Sequence, residues 1–532
     1  IDDANFVSVD TAEALTAGDR VELSFDTGGG SAGDVFEFIG ADDTDVDLEL
    51  ENYSDINRWR QVLGEAGQLY RYVGSNGASV DLGTSDYGDS ALWEAAADDV
   101  LTTLGSFGVG TNITDSDASA FGGLVVRNDL RTGARALVEN YAITADGDVR
   151  IAAKTSAIIT AQADSTVIAS GGSAFGGGTV AAVNGVIATN LVLSDTLATA
   201  RFGSITATNP AGDPDQTGAI SIIAENLSQI SASVDATTES GGYSIGINLA
   251  FNTIGFDPQN IFAQALDVLL GGVFGTENTV QTKATTSTLG LNAAGNILVQ
   301  ADSKATIRAV IVNSAITTSL ALAGGSDTVS VAGTMALNRV SATTEANLGN
   351  TPGAVQSGGT LSVTSDQVAG IFADVQSASV AVGAGLAGSN SGIAVGVTIA
   401  RNFIRAENSA ILAAGNALRA GVDDGNKQNI IVRADRTGEI DATVTASAIG
   451  VAAGSQAAVA VSAAGSIAVN TITGGTIARL SSSSVTRGND LSVTAQDLAA
   501  ITALVRATAA SVAVSLTANA TAVGAGLALA VN

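Results

Sequence analysis

Residues 488–532 read GNDLSVTAQDLAAITALVRATAASVAVSLTANATAVGAGLALAVN. The segment contains a strand-like phrase, LSVTA at 491–495, in which large apolar residues alternate with polar or small ones. Such alternation is typical of a β-strand that buries one face. A long run of small residues follows, and the segment closes on Ala-Val-Asn at 530–532. This order of strand phrase, small-residue run and asparagine is the unit that recurs along most of the chain.

The unit occurs six times after residue 145. The strand phrases read VRIAA, ISIIA, ILVQA, LSVTS, IIVRA and LSVTA, and they begin at Val149, Ile220, Ile297, Leu361, Ile430 and Leu491. The asparagines that close the units are Asn190, Asn252, Asn338, Asn402, Asn470 and Asn532, and Asn128 closes an earlier, degenerate copy.

The units have nearly constant length, whereas the connectors between them do not. The units span 149–190, 220–252, 297–338, 361–402, 430–470 and 491–532, so all except the second agree in length to within a single position. The longest connector lies between 252 and 297 and the shortest between 470 and 491. A module of nearly fixed length that alternates with a variable connector indicates stacked repeats.

The repeats predict an all-β fold, an elongated and repetitive β-solenoid. Two geometries fit the spacing. In the first, the 62 residues from Asn128 to Asn190 make three coils of roughly 20 residues, which would give a rod on the order of 90 Å long. In the second, each module is one broad antiparallel hairpin that turns at a glycine-rich centre such as 170–178 or 387–392. The longest connector also predicts a helix over 257–271, because Asp257 and Pro258 suit a helix start and Gly271 a helix end.

The seven asparagines of the modules are predicted to have a structural role. Asparagine tolerates left-handed backbone angles and hydrogen-bonds its own turn. Stacked asparagines can also form a ladder of side-chain amides. We therefore expect a turn or ladder in which the asparagines of successive repeats lie above one another at one corner of the coil.

A second repeat lies near the start of the chain. Residues 33–59 and 67–93 align without a gap at an offset of 34, so that Tyr53 and Trp59 correspond to Tyr87 and Trp93. Each copy opens with alternating aromatic residues and is predicted to form a strand, a turn and a short helix that carries the tryptophan. We expect the aromatics to pack two small units together. The alternative is that Trp59, Trp93, Tyr53 and Tyr87 stack on sugar rings as a weak glycan-binding site.

These patterns divide the chain into four parts. Residues 1–32 are a leading strand segment and 33–105 the tandem aromatic repeats, a small α+β region. Residues 106–145 are a degenerate repeat or connector, and 146–532 the repetitive β array of six modules.

An acidic run in the first aromatic copy raises the question of calcium. Asp43, Asp45 and Asp47 have the alternate spacing of a calcium-binding loop, but Leu48 stands where such a loop has glycine and Ser54 where it has glutamate. The second copy keeps only Asp81 of the three. A loose calcium site in copy one is the most that this pattern supports, and no other cofactor is expected.

Composition excludes several classes of function. The chain has no Cys and no His, which removes disulfides, Cys/His zinc sites and Ser-His-Asp triads. Its net charge is −29, of which residues 1–100 carry −19, so a nucleic-acid partner is not expected. The uncharged stretch 442–478 is too rich in Ser, Thr, Gly and Asn for a membrane-spanning helix. We expect no enzymatic activity.

The phrase GNDLSVTAQDLAAITA…VGAGLALAVN and its sister copies resemble the arrays of giant bacterial surface proteins, the filamentous-haemagglutinin-like and related β-solenoid adhesins. GQLYRYVG…VDLGTSDYGDSALW resembles the short modules that punctuate such chains. The resemblance implies a secreted or cell-surface location and a structural or adhesive role. The expected partners are copies of the chain itself or a continuation of the same chain, and surface glycans. A carbohydrate-binding module on a β rod and a β-helical polysaccharide-degrading enzyme are the alternatives.

Overall fold

A computed structural model of the chain contains two compact units, residues 1–108 and 109–532. The structure describes residues 6–9, 13–24, 35–40, 43–48, 51–53, 55, 58–62, 70–72, 93–95, 117–171, 179–209, 217–257, 277–287, 290–322, 324–349, 353–413, 417–423, 425–481 and 483–532. Side chains are described at these positions except 13, 43–45, 60–62, 70–72, 93–95 and 423.

The described part of the first unit consists of short strands. They are β1 (Phe6–Val7), β2 (Glu13–Leu15), β3 (Arg20–Glu22), β4 (Val35–Phe38), β5 (Asp43–Val46), β6 (Trp59–Val62), β7 (Tyr70–Tyr72) and β8 (Trp93–Ala95). Strands β1, β3, β4 and β6 form one sheet, β2 pairs with β5, and β7 pairs with β8. Strands β1 and β3 of the leading segment therefore share a sheet with β4 and β6 of the first aromatic copy.

The tandem repeat is visible in the strand pairing. In the first copy Phe38 lies opposite Trp59 in an antiparallel pair, and in the second copy Tyr72 lies opposite Trp93 in the same way. The residues that match in sequence therefore have matching register in the two sheets.

The helices predicted around the two tryptophans are wrong. Trp59 and Trp93 each begin a strand, and only a short turn precedes Trp59, whose backbone N–H donates to the carbonyl of Asp55 at 2.8 Å. Ser54 and Asp55 suit a helix start in sequence terms. However, an extended chain after Trp59 lets this strand pair with the aromatic strand Val35–Phe38, so pairing outweighs the local preference. The helix predicted over 257–271 lies outside the described residues apart from Asp257.

The described part of the second unit is built from three sheets. Sheet A contains β11 (Val149–Ala169), β14 (Ile220–Ser240), β18 (Ile297–Ala321), β21 (Leu361–Gly385), β25 (Ile430–Gly454) and β28 (Leu491–Ser515). Sheet B contains β9 (Ala118–Glu139), β12 (Val180–Arg201), β15 (Tyr243–Ile254), β16 (Val280–Ser287), β19 (Ser326–Gly349), β22 (Asn390–Ala413), β26 (Ala458–Leu480) and β29 (Ala520–Val531). Sheet C contains the short strands β10 (Ala142–Ala145), β13 (Ser204–Ala207), β17 (Gly290–Ala293), β20 (Val355–Ser357), β23 (Leu418–Asp423), β24 (Asn426–Lys427) and β27 (Val485–Arg487). The strands of the three sheets pair in parallel except for β24 in sheet C, which is antiparallel to β23. The prediction of an all-β, elongated repetitive β-solenoid is confirmed.

Each coil runs through sheets B, C and A in that order. Within each sheet, a strand of one coil pairs with the corresponding strand of the next coil. Val149 lies beside Ile220, Ile220 beside Ile297, and so on through Leu361, Ile430 and Leu491, which are the first residues of the six strand phrases. The full repeat, such as that from Asn128 to Asn190, is therefore one coil. The estimate of three coils per repeat, and with it a 90 Å rod, is wrong, because each long strand of sheet A spans 21 to 25 residues and alone covers about 70–80 Å.

The hairpin geometry is also wrong, although its turn is correctly placed. Strands β21 and β22 are joined at residues 386–389, which overlap the predicted glycine-rich centre at 387–392. The two strands belong to different sheets, so they face each other across the core instead of pairing along their edges. Each module is thus an arch.

The core between sheets A and B narrows toward the arch. Near sheet C it is filled by large side chains such as Ile222, Leu291 and Leu348. Near the arch of the later coils the inward side chains are small: buried serines such as Ser330 and Ser462 lie among alanine clusters such as Ala381, Ala394, Ala446, Ala448 and Ala464. A Cβ added at Gly450 in sheet A would lie 2.7 Å from the carbonyl oxygen of Val461 in sheet B, so the two backbones almost touch there. This wedge explains a composition rich in Ala and Gly and poor in aromatics.

Variable connector lengths have local causes. The longest connector contains an insertion between Ile254 and Val280, which leaves sheet B in the middle of a coil and returns to it. The one short module closes at Asn252, and only residues 241 and 242 join its strands, since β14 ends at Ser240 and β15 begins at Tyr243.

Candidate functional site

The seven module asparagines form one continuous ladder inside the second unit. Each side-chain Nδ2 donates to the Oδ1 of the asparagine in the next coil, from Asn128 to Asn190 at 2.7 Å and onward at 2.8, 2.8, 2.9, 2.8 and 2.9 Å. The members in order are Asn128, Asn190, Asn252, Asn338, Asn402, Asn470 and Asn532. The ladder has one direction, because every amide donates toward the same end of the stack.

Five of the asparagines lie in the middle of long sheet B strands and not at a corner of the coil, namely Asn128, Asn190, Asn338, Asn402 and Asn470. Asn190 points inward between Ala188 and Val192, which belong to the main hydrophobic core. Asn252 and Asn338 are fully buried. Burying an amide is costly unless its hydrogen bonds are made, so the ladder is stable only while the coils stay in register.

A second set of amides joins sheet A to sheet B across the core. Asn313 of sheet A donates to the backbone carbonyls of Gly246 and Gly333 in sheet B at 2.9 and 2.8 Å. Asn226 reaches Ser194 in the same way, with Nδ2 3.0 Å from the serine Oγ. Sequence reasoning missed these residues, since they do not recur at one position of the module.

Tyr53 and Trp59 are the two residues of the predicted glycan-binding site whose side chains the structure describes, and they do not form an exposed platform. Tyr53 and Trp59 are each 2 % exposed. Their rings pack on each other and on Phe36 and Phe38, with centroid distances of 4.8 to 5.2 Å. A ring that stacks on a sugar must expose one face, so these two residues form a core. Tyr87 and the side chain of Trp93 lie outside the described residues.

Polar contacts anchor this aromatic cluster. The hydroxyl of Tyr53 donates to the carbonyl of Leu48 at 2.8 Å, and the indole N–H of Trp59 donates to Glu51 at 3.0 Å. Burial, with Glu51 and Asp47 nearby, raises the pKa of Tyr53 far above its ordinary value. The phenol is therefore a neutral hydrogen-bond donor and not a titrating group.

The acidic run proposed for calcium lies on an extended strand. Asp43 and Asp45 belong to β5, which pairs with β2, and Asp47 follows directly. Alternate carboxylates on a strand are about 6.8 Å apart along one face, whereas a calcium loop wraps its ligands around the ion. The structure describes the backbone of Asp43 and Asp45 but not their side chains. Among the described residues no group of three or more acidic side chains is placed to hold a metal ion.

An acidic column runs up the outer face of sheet A. Glu225, Asp302, Asp366 and Asp435 occupy the same register position in four successive coils. Arg433 lies 3.1 Å from both Asp366 and Asp435. Burial raises the pKa of Asp302 to about 6, and the nearby Asp366 and Glu225 add to the rise. The column is thus partly neutralised, with one carboxyl that titrates in the mildly acidic range.

A groove of about 320 Å³ lies at the junction of sheets B and C. Thr199, Arg201, Thr285, Ser287 and Asn347 are among its lining residues. The guanidinium of Arg201 is paired with Glu139, and the hydroxyls of Thr199 and Thr285 are 3.1 Å apart. Oδ1 of Asn347 is buried without a hydrogen-bond partner. The lining residues include no carboxylate pair and no activated nucleophile.

No family model, no curated protein and no solved structure matches this chain. No helix within the described residues is long and apolar enough to cross a membrane.

Proposed function

We propose that the chain is a structural segment of an elongated cell-surface adhesin or extracellular fibre, and that it acts through rigid stacked β structure and self-association. The observation that carries the proposal is the unbroken parallel pairing of coil on coil, with the asparagine ladder buried inside it. Its surface or extracellular location, and an adhesive rather than an enzymatic role, rest on the resemblance to bacterial β-solenoid adhesins.

Rigidity follows from the pairing. Strands β18, β21, β25 and β28 pair along their whole length in a constant register. Each backbone hydrogen bond contributes about 0.5–1.5 kcal/mol net, and bending the stack would strain many of them together. A slip by one position would turn every inward side chain outward. Such an array keeps its length under load, as a spacer or a fibre segment must.

The last coil of this sequence is suited to carry a further coil, supplied by a second copy or by a continuation of the same chain. Among the described residues, β28 pairs only with β25, and β29 only with β26. Leu491 and Val493 point inward but remain 49 % and 42 % exposed, whereas their counterparts Ile430 and Val432 in the coil below are fully buried. A further coil stacked on this end would bury these side chains and pair the free backbone groups.

Electron microscopy combined with sedimentation velocity tests the proposal. The chain should form end-to-end filaments or oligomers that lengthen with concentration. Leu491→Lys with Val493→Lys would place charge on the open core and should abolish the assembly, whereas Ser492→Lys and Thr494→Lys, on the outward face of the same strand, should leave it intact. Particles that stay single at all concentrations, or assembly unaffected by the inward lysines, would contradict end-to-end self-association. Protease treatment of intact cells that produce the chain tests its surface location.

A further inference from the structure

The arch half of sheet B reverses the ordinary arrangement of large and small residues. Its inward positions are small or polar, as at Ser330, Ala394 and Ser462, because the two sheets nearly touch there. Its outward positions carry mostly aliphatic side chains or glycine: Val331 and Val395 lie side by side in neighbouring coils, and Gly333 lies beside Val397 at the next outward position. The large apolar side chains therefore do not contribute to the coil's own core.

These outward residues form one continuous surface, which we call the apolar face. It comprises three adjacent columns of outward positions in sheet B, which start at Ser119, Phe121 and Gly123 in β9 and continue coil by coil to Val523, Ala525 and Leu527 in β29. None of its positions carries a charged side chain, and only Ser119 and Tyr243 carry a hydroxyl. Phe121 is 78 % exposed and Ile247 48 % exposed.

The size of the apolar face matches an interface. Three columns at about 6.8 Å along the strand and seven coils at about 4.8 Å give roughly 20 Å by 30 Å, or about 600 Å². Two such surfaces in contact bury about 1,200 Å², the lower end of specific protein–protein interfaces. Contiguous apolar patches of this size on monomers usually mark an interaction site.

We propose that the apolar face is a lateral interface that packs against the same face of a second copy of the chain. Residues 101–532 carry −10 of the net charge of −29, which opposes close approach of two copies through charged surfaces, whereas this face has no charge to desolvate. A sheet face packs well on another sheet face, at a separation of about 10 Å. The contact pairs like with like around a two-fold axis, as most homodimer interfaces do. It is separate from the end-to-end contact through β28 and β29, and the two can be tested one at a time.

The first experiment is sedimentation velocity of the full chain and two double variants. Val331→Lys with Val395→Lys places charge at the centre of the apolar face in adjacent coils. Ala378→Lys with Ser447→Lys makes the same change in adjacent coils on the outer face of sheet A, at positions of similar exposure. All three are compared with Leu491→Lys and Val493→Lys also present, which removes end-to-end assembly. In that background the otherwise unchanged chain and the sheet A variant should sediment at twice the mass of one chain, and the apolar-face variant at the mass of one chain. Circular dichroism and thermal melting should show all three folded alike, since every side chain that distinguishes them points outward.

A cysteine crosslink gives an independent measurement. The chain has no cysteine, so a single Val331→Cys introduces a unique thiol near the centre of the face. A two-fold axis in the plane of the interface passes near that point, and mild oxidation should link two copies through Cys at 331. Ala378→Cys is the control and should remain monomeric on a non-reducing gel.

Three results would overturn the proposal. The wild type could remain monomeric at high concentration, the apolar-face variant could remain dimeric, or the wild type could float with phosphatidylcholine vesicles while the apolar-face variant does not and no dimer forms. The last result would identify a lipid surface as the occupant. Dimers that survive the apolar-face lysines but are lost with Leu491→Lys and Val493→Lys would leave the end-to-end proposal standing and remove the lateral one.

Discussion

Replacing Asn338 by alanine should destabilise the second unit more than the same change at the first residue of the asparagine ladder. Asn338 is fully buried, accepts from Nδ2 of Asn252 at 2.8 Å and donates to Oδ1 of Asn402 at 2.9 Å. Its loss leaves one buried donor and one buried acceptor without a partner. Each unsatisfied group costs about 1–3 kcal/mol, so we expect a loss of about 2–6 kcal/mol in the free energy of unfolding.

Asn128→Ala is the matched control. Asn128 makes a single ladder bond and is only half-buried at the first coil, so the expected loss is about 1 kcal/mol. Chemical denaturation followed by circular dichroism measures the difference between the two variants. Hydrogen exchange then locates it, because the amides of β19 and β22 should lose protection in Asn338→Ala while those of β28 should not.

Asn338→Asp separates hydrogen bonding from packing, since aspartate has nearly the same shape as asparagine. An ionised carboxylate accepts from Asn252 but cannot donate to Asn402, and burial opposes its charge. Burial therefore raises its folded pKa above the unfolded value, and the variant should lose stability as the pH rises from about 4 toward neutrality. The reasoning would be refuted by an Asn338→Ala variant no less stable than Asn128→Ala, or by an Asn338→Asp variant whose stability does not change with pH.

Three further outcomes are expected. Gly450→Ala should lower the free energy of unfolding by about 1–3 kcal/mol, because the added Cβ would clash with the carbonyl of Val461. Gly465→Ala is the control and should leave it unchanged, since no atom lies within 4 Å of the added carbon. Urea titrations of the two variants measure the difference. The pKa of Asp302 in the folded chain is raised to about 6, so the free energy of unfolding should fall as the pH rises from about 4 to 6. Asp302→Asn should remove about 2–3 kcal/mol of that fall. Trp59→Ala should cost about 3–5 kcal/mol in the first unit, with loss of hydrogen-exchange protection in β4 and none in β21; equal losses in both strands would contradict an independent first core.

The starts of the long strands were predictable from sequence, and their ends were not. All six strand phrases begin a strand of sheet A at the predicted residue, since alternating Ile, Leu and Val are unambiguous there. The runs of Ala, Gly and Ser that follow show little hydrophobic periodicity, and the composition of some of them is typical of turns. In the structure they continue the strand to Gly385 or Gly454, because a narrow core admits only small inward residues.

The candidate sites show a similar division. A fixed spacing revealed the asparagine ladder, because pairing in register places recurring residues directly above one another. Spacing could not show that the ladder runs through the core in mid-strand, since that depends on which face of sheet B meets sheet A. The aromatic residues were ambiguous for a related reason: Tyr53 and Trp59 have the composition of a sugar platform, and only their 2 % exposure distinguishes a core from a platform.

The apolar face has the same cause as the strand ends that the sequence did not predict, namely the narrowing of the core between sheets A and B toward the arch. Where two sheets approach to backbone contact, as at Gly450 and Val461, inward positions cannot hold large side chains, so the core of the arch contributes little hydrophobic stabilisation. Valine and isoleucine still favour a strand when they point outward, and at Val331 and Val395 they cover a surface that has no role within the coil. Packing that surface against a second copy would supply the apolar burial that the narrow core lacks. Dimer formation and the stability of the arch should therefore change together, and Val331→Lys with Val395→Lys should reduce hydrogen-exchange protection near Ser379 and Ala448 only under conditions in which the wild type is dimeric.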